Sequence, residues 1–261
     1  MSARASLVRL SHAGAVTTLT LARPGMHNAL VPDLLLDLCV ALEQIRRRAE
    51  TRAVVLAAEG QTFSIGGDMR RFASEMRGPA LQTYAAELVG LLNQSIVSLL
   101  SLPQPVIAAV HGHVTGGSLG FVLAADLVVM ADDAVFKAHY ANAGFTPDGG
   151  WTALLPRLIG ARRAAACLLL DRSVRAQQAL DWGLVNALAP RDQVADEAHA
   201  LAVRIALAPE VTMQSSKRLL AAELAEVETA LEAERQRFVA SIAGDQARAG
   251  VEAFLGRAAI T

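Results

Sequence analysis

The chain has 261 residues, of which 53% are hydrophobic and 19% are charged, and its formal net charge is -1. This length is enough for a sizeable core, and the composition excludes a disordered chain. The near-zero charge excludes a global basic field for nucleic acid, and no apolar stretch reaches the roughly 18 residues that span a bilayer. We therefore expect a globular protein without nucleic-acid or membrane partners. Because the N-terminus lacks the apolar core of a signal peptide, we expect it in the cytoplasm.

The first hundred residues alternate between strand and helix patterns. Two strand-like segments, LVRLSH and AVTTLTLAR, precede a helix predicted from Pro32 to about Ala49. A buried strand, RAVVLAAEG, is followed by a loop, QTFSIGGDMRRF, that enters a short helix. A long helix is predicted from about Ala80 to Leu100, ahead of another buried strand, PVIAAV. Short apolar strands between helices are typical of the α/β class, with a sheet covered by helices.

From about Arg191 onward the pattern becomes purely helical. We therefore predict an α/β core over residues 1–190 and a helical C-terminal region over residues 191–261. The two cysteines, Cys39 and Cys167, lie in apolar helical surroundings. This position predicts buried free thiols instead of a disulfide or a metal site.

Two loops have the same form, since each follows a buried strand and brings two glycines to the start of a helix. One contains Gly66 and Gly67, and the other contains Gly116 and Gly117. Backbone N–H groups at a helix start are unpaired, and a bare Cα lets a ligand approach them. Two such groups from different loops can stabilise one developing negative charge, as in an oxyanion hole. The pattern alone leaves open that the glycines only form tight turns, while the G-x-G-x-x-G spacing of a dinucleotide site is missing.

Five ordered motifs resemble those of the crotonase superfamily, the enoyl-CoA hydratases and isomerases, over residues 7–257. They are RPGMHNAL, FSIGGDM, PVIAAVHG with its downstream glycine pair, GFTPDGG and ALDWGLVN. The resemblance implies a spiral of β-β-α repeats and a homotrimer or dimer of trimers, with trimerisation through the C-terminal region. It also implies an acyl-CoA thioester as ligand, with coenzyme A as part of the substrate and no separate cofactor. The N–H groups of Gly67 and Gly117 would then stabilise a thioester enolate.

Hydratases of this family use two glutamates, and both are absent here. The resemblance places them at Gly120 and Tyr140. Glycine cannot transfer a proton, and an unperturbed tyrosine, with a pKa of about 10, is a poor base at neutral pH. Hydration by the two-glutamate route is therefore disfavoured.

Asp148, in the segment TPDGG, resembles the catalytic aspartate that several crotonase-like isomerases carry at this position. An apolar acyl pocket raises the pKa of a carboxyl group, which improves it as a base. One carboxylate can move a proton from one carbon to another, so we favour double-bond isomerisation of an enoyl-CoA. Asp148 is alternatively only the N-cap of a helix GGWTALLPRLIG, or a nucleophile as in dehalogenases of aromatic acyl-CoA. A hydratase, another lyase or a hydrolase, and a catalytically weak acyl-CoA-binding protein also stay open.

Contacts with coenzyme A are expected from two parts of the chain. The family shape implies that backbone from Ser64 through Ile65 to Gly66 meets the adenine and pantetheine, and that Arg23 meets phosphate. The C-terminal Phe254 and Arg257 are expected to contribute from the same or a neighbouring subunit. Arg257 replaces a lysine that is common in the family, which keeps the charge but changes its geometry.

The acyl pocket is expected to involve His139, Tyr140 and Gly116. Either His139 or Tyr140 is a candidate to hydrogen-bond the substrate or the catalytic aspartate. His113 either borders this pocket or is a buried structural histidine. Phe145 and Trp151 either line a pocket for a bulky acyl group or belong to the core. No metal is expected, because the histidines lack the spacing of a metal site.

Overall fold

A computed structural model describes residues 5–221 and 223–258, with residues 257 and 258 described by their backbone only. The larger of two sheets contains, in spatial order, β1 (Val8–Ala13), β2 (Val16–Leu21), β3 (Ala53–Ala58), β4 (Val106–Val110), β6 (Leu127–Ala131) and β9 (Ala187–Ala189). Neighbouring strands are parallel except for the antiparallel pair β1 and β2. The smaller sheet contains, in spatial order, β5 (His113–Thr115), β7 (Val135–Lys137) and β8 (Val174–Arg175).

Twelve α-helices lie in the described part of the chain. They are α1 (Pro32–Arg47), α2 (Met69–Glu75), α3 (Leu81–Leu100), α4 (Leu119–Leu123), α5 (Tyr140–Ala143), α6 (Leu155–Ile159), α7 (Ala161–Leu169), α8 (Ala176–Asp181), α9 (Val194–Leu207), α10 (Glu210–Leu220), α11 (Leu224–Ser241) and α12 (Asp245–Ala258). Short 3-10 turns cover Pro24–Met26 and Gly116–Ser118. Two predicted helices, Pro32 to about Ala49 and about Ala80 to Leu100, agree with α1 and α3 to within two residues.

The chain repeats a unit in which one strand joins the larger sheet, the next joins the smaller sheet, and a helix follows. The unit β4, β5 and α4 is followed by the unit β6, β7 and α5. This arrangement is the predicted spiral of β-β-α repeats. In the first of these units the second glycine pair lies between the end of β5 and the start of α4.

The core fills the space between the larger sheet and its helices. Every residue of β4 is buried, as expected for a parallel strand that is covered on both faces. Helix α1 buries a stripe of leucines, contacts β1 and β2, and packs against α3, while α9 covers the middle of the sheet. Helices α9 to α12 form the C-terminal part of the chain, and α9 packs directly on β3 and β4.

The two cysteines differ in how deeply they are buried. Cys167 is buried and Cys39 is half-buried, with its Sγ 3.3 Å from Ser95 Oγ; both thiols are free. The prediction of burial is therefore wrong for Cys39.

Within residues 5–221 and 223–258, no helix is both long and apolar enough to cross a membrane.

Candidate active site

An apolar cavity of about 320 Å³ lies between the two glycine loops, α3 and the C-terminal helices. Its aliphatic and aromatic wall includes Leu30, Met69, Phe72, Leu88, Leu92, Phe145 and Phe238. Of the thirteen candidate residues, nine line the cavity: Ile65, Gly67, His113, Gly116, Gly117, His139, Tyr140, Asp148 and Phe254. Among the lining residues that the structure describes, Asp148 is the one carboxylate.

Backbone pairing brings the two glycine loops together. Ser64 N–H donates to the carbonyl of His113, and Thr115 N–H donates to the carbonyl of Ser64. These two bonds fasten the first loop to β5, although about 50 residues separate them. The glycine pairs of the two loops therefore lie side by side at one end of the cavity.

The N–H groups of Gly67 and Gly117 are available to a ligand. Leu30 N–H donates to Gly66 O, and Asp68 N–H donates to Leu30 O. In this parallel bridge the two hydrogen bonds flank Gly67, so the N–H of Gly67 itself points away from Leu30. Gly117 lies in the first turn of a 3-10 helix, where N–H groups have no acceptor within the helix. Both residues line the cavity, so the geometry suits an oxyanion hole.

Asp148 is buried at the cavity and hydrogen-bonds to Tyr140. The Tyr140 hydroxyl lies 2.5 Å from Asp148 Oδ1 and 3.0 Å from the Asp148 carbonyl oxygen, and it donates to the carboxylate. Burial raises the pKa of Asp148 to about 7, while the Tyr140 hydrogen bond lowers it and the charge of Glu234 raises it. Burial and the neighbouring carboxylate hold the pKa of Tyr140 well above its ordinary value, so the phenol stays a donor. The site thus contains one carboxyl group that titrates near neutral pH.

Gly117 and Asp148 lie against each other. A Cβ placed on Gly117 would be 2.8 Å from Asp148 Oδ1 and 2.6 Å from Leu92 Cδ2. Any larger residue at Gly117 would therefore displace the carboxylate as well as the oxyanion N–H. The same closeness puts a buried carboxylate beside the backbone N–H of Gly117.

The two hydratase positions differ in the room that they leave for a glutamate. At Gly120, a Cβ would lie 2.5 Å from Gly149 O and would also overlap the side chain of Ile96. At Tyr140, the ring fills the space next to Asp148. The carboxylates are absent from the sequence, and at Gly120 the fold also leaves no room for one.

Glu234 is a buried carboxylate that the sequence analysis did not identify. Its Oε1 accepts from the N–H groups of Thr152 and Ala153 and from the Thr152 hydroxyl, and its Oε2 accepts from Gly150 N–H. Glu234 comes from α11 and is 5% exposed. It therefore clamps the turn that follows Asp148, and no pattern near residue 148 points to a partner more than 80 positions away.

Asp148 is not the N-cap of a helix, contrary to one alternative from the sequence. Residues 149–154 form turns, and α6 begins only at Leu155, with Leu154 as its N-cap. Glu234 takes the Gly150 N–H, which a cap at 148 would have accepted. The Asp148 carboxylate accepts from Tyr140 instead.

A family model described as enoyl-CoA hydratase/isomerase matches residues 11–260. The chain belongs to the enoyl-CoA hydratase/isomerase family. It is 36% identical to a probable enoyl-CoA hydratase of Mycobacterium tuberculosis, over 82% of this chain and 77% of that protein. It is 33% identical to the 1,2-epoxyphenylacetyl-CoA isomerase of Escherichia coli, over 93% and 92% respectively. An enoyl-CoA hydratase structure from Bacillus halodurans superposes with a TM-score of 0.88 at 22% identity, covering 95% of this chain and 100% of that chain.

As a member of the enoyl-CoA hydratase/isomerase family, the chain is a crotonase-type enzyme that acts on CoA thioesters.

Several of the residues expected to bind coenzyme A have other contacts. The Arg23 guanidinium lies 3.1 Å from Asp68 Oδ2 and donates to Ala29 O, while Asp68 caps α2. Arg23 therefore braces the first glycine loop, and it does not line the cavity.

Ser64 and Gly66 are also occupied within the fold. Both backbone groups of Ser64 pair with β5, and its hydroxyl donates to Asn28 O. The carbonyl of Gly66 accepts from Leu30, and its N–H lies 3.4 Å from Ser64 Oγ. The polar groups of these two residues are therefore used within the fold, and their contact with adenine and pantetheine stays a prediction. Ile65, 36% exposed, is the residue of this segment that lines the cavity.

His113 and His139 both lie at the cavity. His113 is exposed there, so the alternative of a buried structural histidine is wrong. His139 has a left-handed backbone conformation, and its N–H donates to Asp171 Oδ1 at 2.9 Å. Within residues 5–221 and 223–258, no cluster of three or more His, Cys, Asp or Glu side chains is arranged to hold a metal ion.

The remaining candidates divide between cavity and core. Phe254 of α12 is 37% exposed and lines the cavity, as does Phe145. The side chain of Arg257 lies outside the described residues. Trp151 is 1% exposed and belongs to the core, so it is not part of the acyl pocket.

Proposed function

We propose that the protein moves the double bond of an enoyl-CoA thioester, with Asp148 as the single proton shuttle. The observation that carries this proposal is the position of the buried carboxylate next to Gly117, with no second carboxylate among the described residues that line the cavity. Hydration needs a group that activates water as well as a group that protonates carbon. One carboxyl group is sufficient to move a proton between two carbons.

The reaction follows from the placement of these groups. The Asp148 carboxylate removes a proton from C2 of a 3-enoyl thioester, and the electron pair moves onto the thioester oxygen. The N–H groups of Gly67 and Gly117 stabilise the negative charge of the dienolate. The protonated Asp148 then returns the proton to C4, the double bond forms between C2 and C3, and the carboxylate is regenerated.

The environment of Asp148 supports this role. A catalytic pKa near the working pH gives both a populated base and a competent acid. Burial, which raises the pKa of Asp148 to about 7, meets that condition.

The proposal is tested with purified protein and 3-enoyl-CoA thioesters of several chain lengths. We expect formation of the conjugated 2-enoyl product, measured by ultraviolet absorbance, and loss of this activity in Asp148→Asn. Asp181→Asn is the matched control, because Asp181 is exposed and does not line the cavity. Hydration of 2-enoyl-CoA that survives Asp148→Asn, without isomerisation by the wild type, would contradict the proposal and favour a hydratase. Tight acyl-CoA binding without any turnover would favour a binding protein.

We also propose that the enzyme assembles as a homotrimer or a dimer of trimers. Large aliphatic side chains near the C-terminal helices support this: Leu207, Val211, Leu219 and Leu220 are 77% to 87% exposed in the single chain. These residues lie close together along the chain, at the end of α9 and in α10, and exposed apolar surface favours association with another chain. Sedimentation velocity should give a mass three or six times that of one chain, and a monomer would refute this assembly.

A further inference from the structure

The indole of Trp151 makes one hydrogen bond, and that bond reaches the oxyanion loop. Trp151 Nε1–H donates to the carbonyl oxygen of Gly116 at 2.8 Å. The side chain is 1% exposed, so no water competes for this donor. A bulky residue that follows the catalytic segment thus contacts the backbone of a different loop.

The carbonyl that Trp151 holds belongs to the same peptide group as the Gly117 N–H. In a trans peptide the C=O and the N–H point in opposite directions. Since the Gly116 carbonyl points to the buried indole, the Gly117 N–H points away from it. Gly117 lines the cavity, so the bond directs its N–H toward the place of the thioester oxygen.

The Gly116–Gly117 peptide has two donors to its carbonyl, Leu119 N–H within the 3-10 turn and the indole N–H of Trp151. Both are needed to fix it, because glycine on both sides gives the peptide little resistance to rotation. Gly116 has a φ of +54°, a conformation in which glycine is not strained. With the indole donor removed, Leu119 N–H alone would hold the carbonyl, and rotation of the peptide would bring a carbonyl oxygen into the cavity beside Asp148 for part of the time. A carbonyl oxygen in that position repels a developing enolate, whereas an N–H stabilises it.

Trp151 is itself held from two sides. Glu234 accepts hydrogen bonds from the N–H groups of Gly150 and Thr152, the residues on either side of Trp151. The rings of Trp151 and Tyr140 form an edge-to-face pair, with centroids 6.1 Å apart and an interplanar angle of 86°. The same turn therefore carries the base, Asp148, and the indole that orients the oxyanion peptide.

We infer that Trp151 is a positioning residue that locks the Gly116–Gly117 peptide with its N–H toward the thioester oxygen. The inference rests on the proposed oxyanion chemistry and adds the group that maintains the hole. It makes Trp151 a residue that acts on the rate without touching the substrate.

The test compares Trp151→Phe with Trp182→Phe. The first removes the indole N–H and keeps an aromatic ring; the second removes the other tryptophan, which is half-buried beside Arg163 and Arg172 and does not line the cavity. The probe is 4-dimethylaminocinnamoyl-CoA, which has no proton to isomerise and absorbs at longer wavelength when its thioester carbonyl accepts hydrogen bonds. We expect Trp151→Phe to lose at least half of the shift that the wild type produces, and Trp182→Phe to keep it.

Turnover of a 3-enoyl-CoA thioester provides a second readout. Loss of one oxyanion donor lowers kcat about 100- to 1,000-fold, so a peptide that is disordered for part of the time should lower it about 10- to 100-fold. KM should change less than about 3-fold, because the interaction strengthens in the transition state. A residue needed only for packing would instead lower the melting temperature and leave the spectral shift of the folded protein unchanged.

The outcomes separate this inference from the proposed function. An equal spectral shift and equal kcat in wild type and Trp151→Phe would overturn the role of Trp151 alone. The absence of any shift in the wild type would contradict the oxyanion hole and, with it, both proposals. If Trp151→Phe does not fold, replacement of Trp151 by 3-benzothienylalanine, which substitutes sulfur for the N–H in a ring of the same shape, gives the same comparison.

Discussion

The burial of Asp148 makes the stability of the protein depend on pH in a defined direction. Its pKa is raised from 3.8 to about 7, chiefly by burial, whereas in the unfolded chain it is expected near its ordinary value. The folded state therefore retains a proton that the unfolded state releases above about pH 4. Stability should fall as the pH rises from about 4 to 7, and the loss should level off above the folded pKa.

Asp148→Asn isolates this effect. Asparagine cannot ionise, and its amide oxygen can still accept the Tyr140 hydrogen bond. A shift of about three pKa units corresponds to about 4 kcal/mol, since each unit is about 1.4 kcal/mol. The variant should gain stability relative to the wild type as the pH rises: by less than about 1 kcal/mol at pH 4, about 2 kcal/mol near pH 5.5 and about 4 kcal/mol at pH 8.

The assay is urea unfolding followed by tryptophan fluorescence across this pH range. All samples need the same chain concentration, because the proposed assembly would couple to unfolding. The exposed carboxylate of Asp181 gives a control, and Asp181→Asn should follow the wild-type curve at each pH. If the difference between Asp148→Asn and the wild type stays constant from pH 4 to 8, Asp148 titrates near its ordinary pKa and the argument from burial fails.

Three further predictions concern the groups around Asp148. In the wild type, kcat/KM for isomerisation should rise with pH and level off above about pH 7. Tyr140→Phe should move this inflection to a pH about one unit higher, because the carboxylate of Asp148 loses a hydrogen bond. Tyr84→Phe is the control and should leave the inflection unchanged, because the Tyr84 hydroxyl makes no hydrogen bond to Asp148. Glu234→Gln should move the same inflection down, because a nearby negative charge is removed, and should lower the melting temperature; an upward shift would contradict the electrostatic role of Glu234. Gly120→Glu should not create hydratase activity, and in urea unfolding it should cost at least about 1–3 kcal/mol, because neighbouring backbone and side-chain atoms fill that space. A stable Gly120→Glu protein that hydrates 2-enoyl-CoA would refute the last of these.

The sequence alone determined the features that depend on neighbouring residues. Helix α1 could be located to within two residues because its apolar spacing and its first-turn proline are local signals. The glycine pairs at Gly66 and Gly116 could be identified as turns before a helix, since their conformation is also a local property. The loss of both hydratase glutamates, and the survival of Asp148 as a carboxylate, were visible for the same reason.

The tertiary structure decided which of these residues meet and what each has left to offer a ligand. The sequence placed Ser64 and Arg23 at coenzyme A, but the fold uses their polar groups to fasten the first glycine loop. The sequence did not point to Glu234 or to the bond between Trp151 and Gly116, because these partners lie 81 to 84 and 35 positions apart along the chain. Contacts at such separations arise only when helices pack on the sheet, and no local pattern encodes them. The pKa of Asp148 has the same origin, since burial by distant elements raises it.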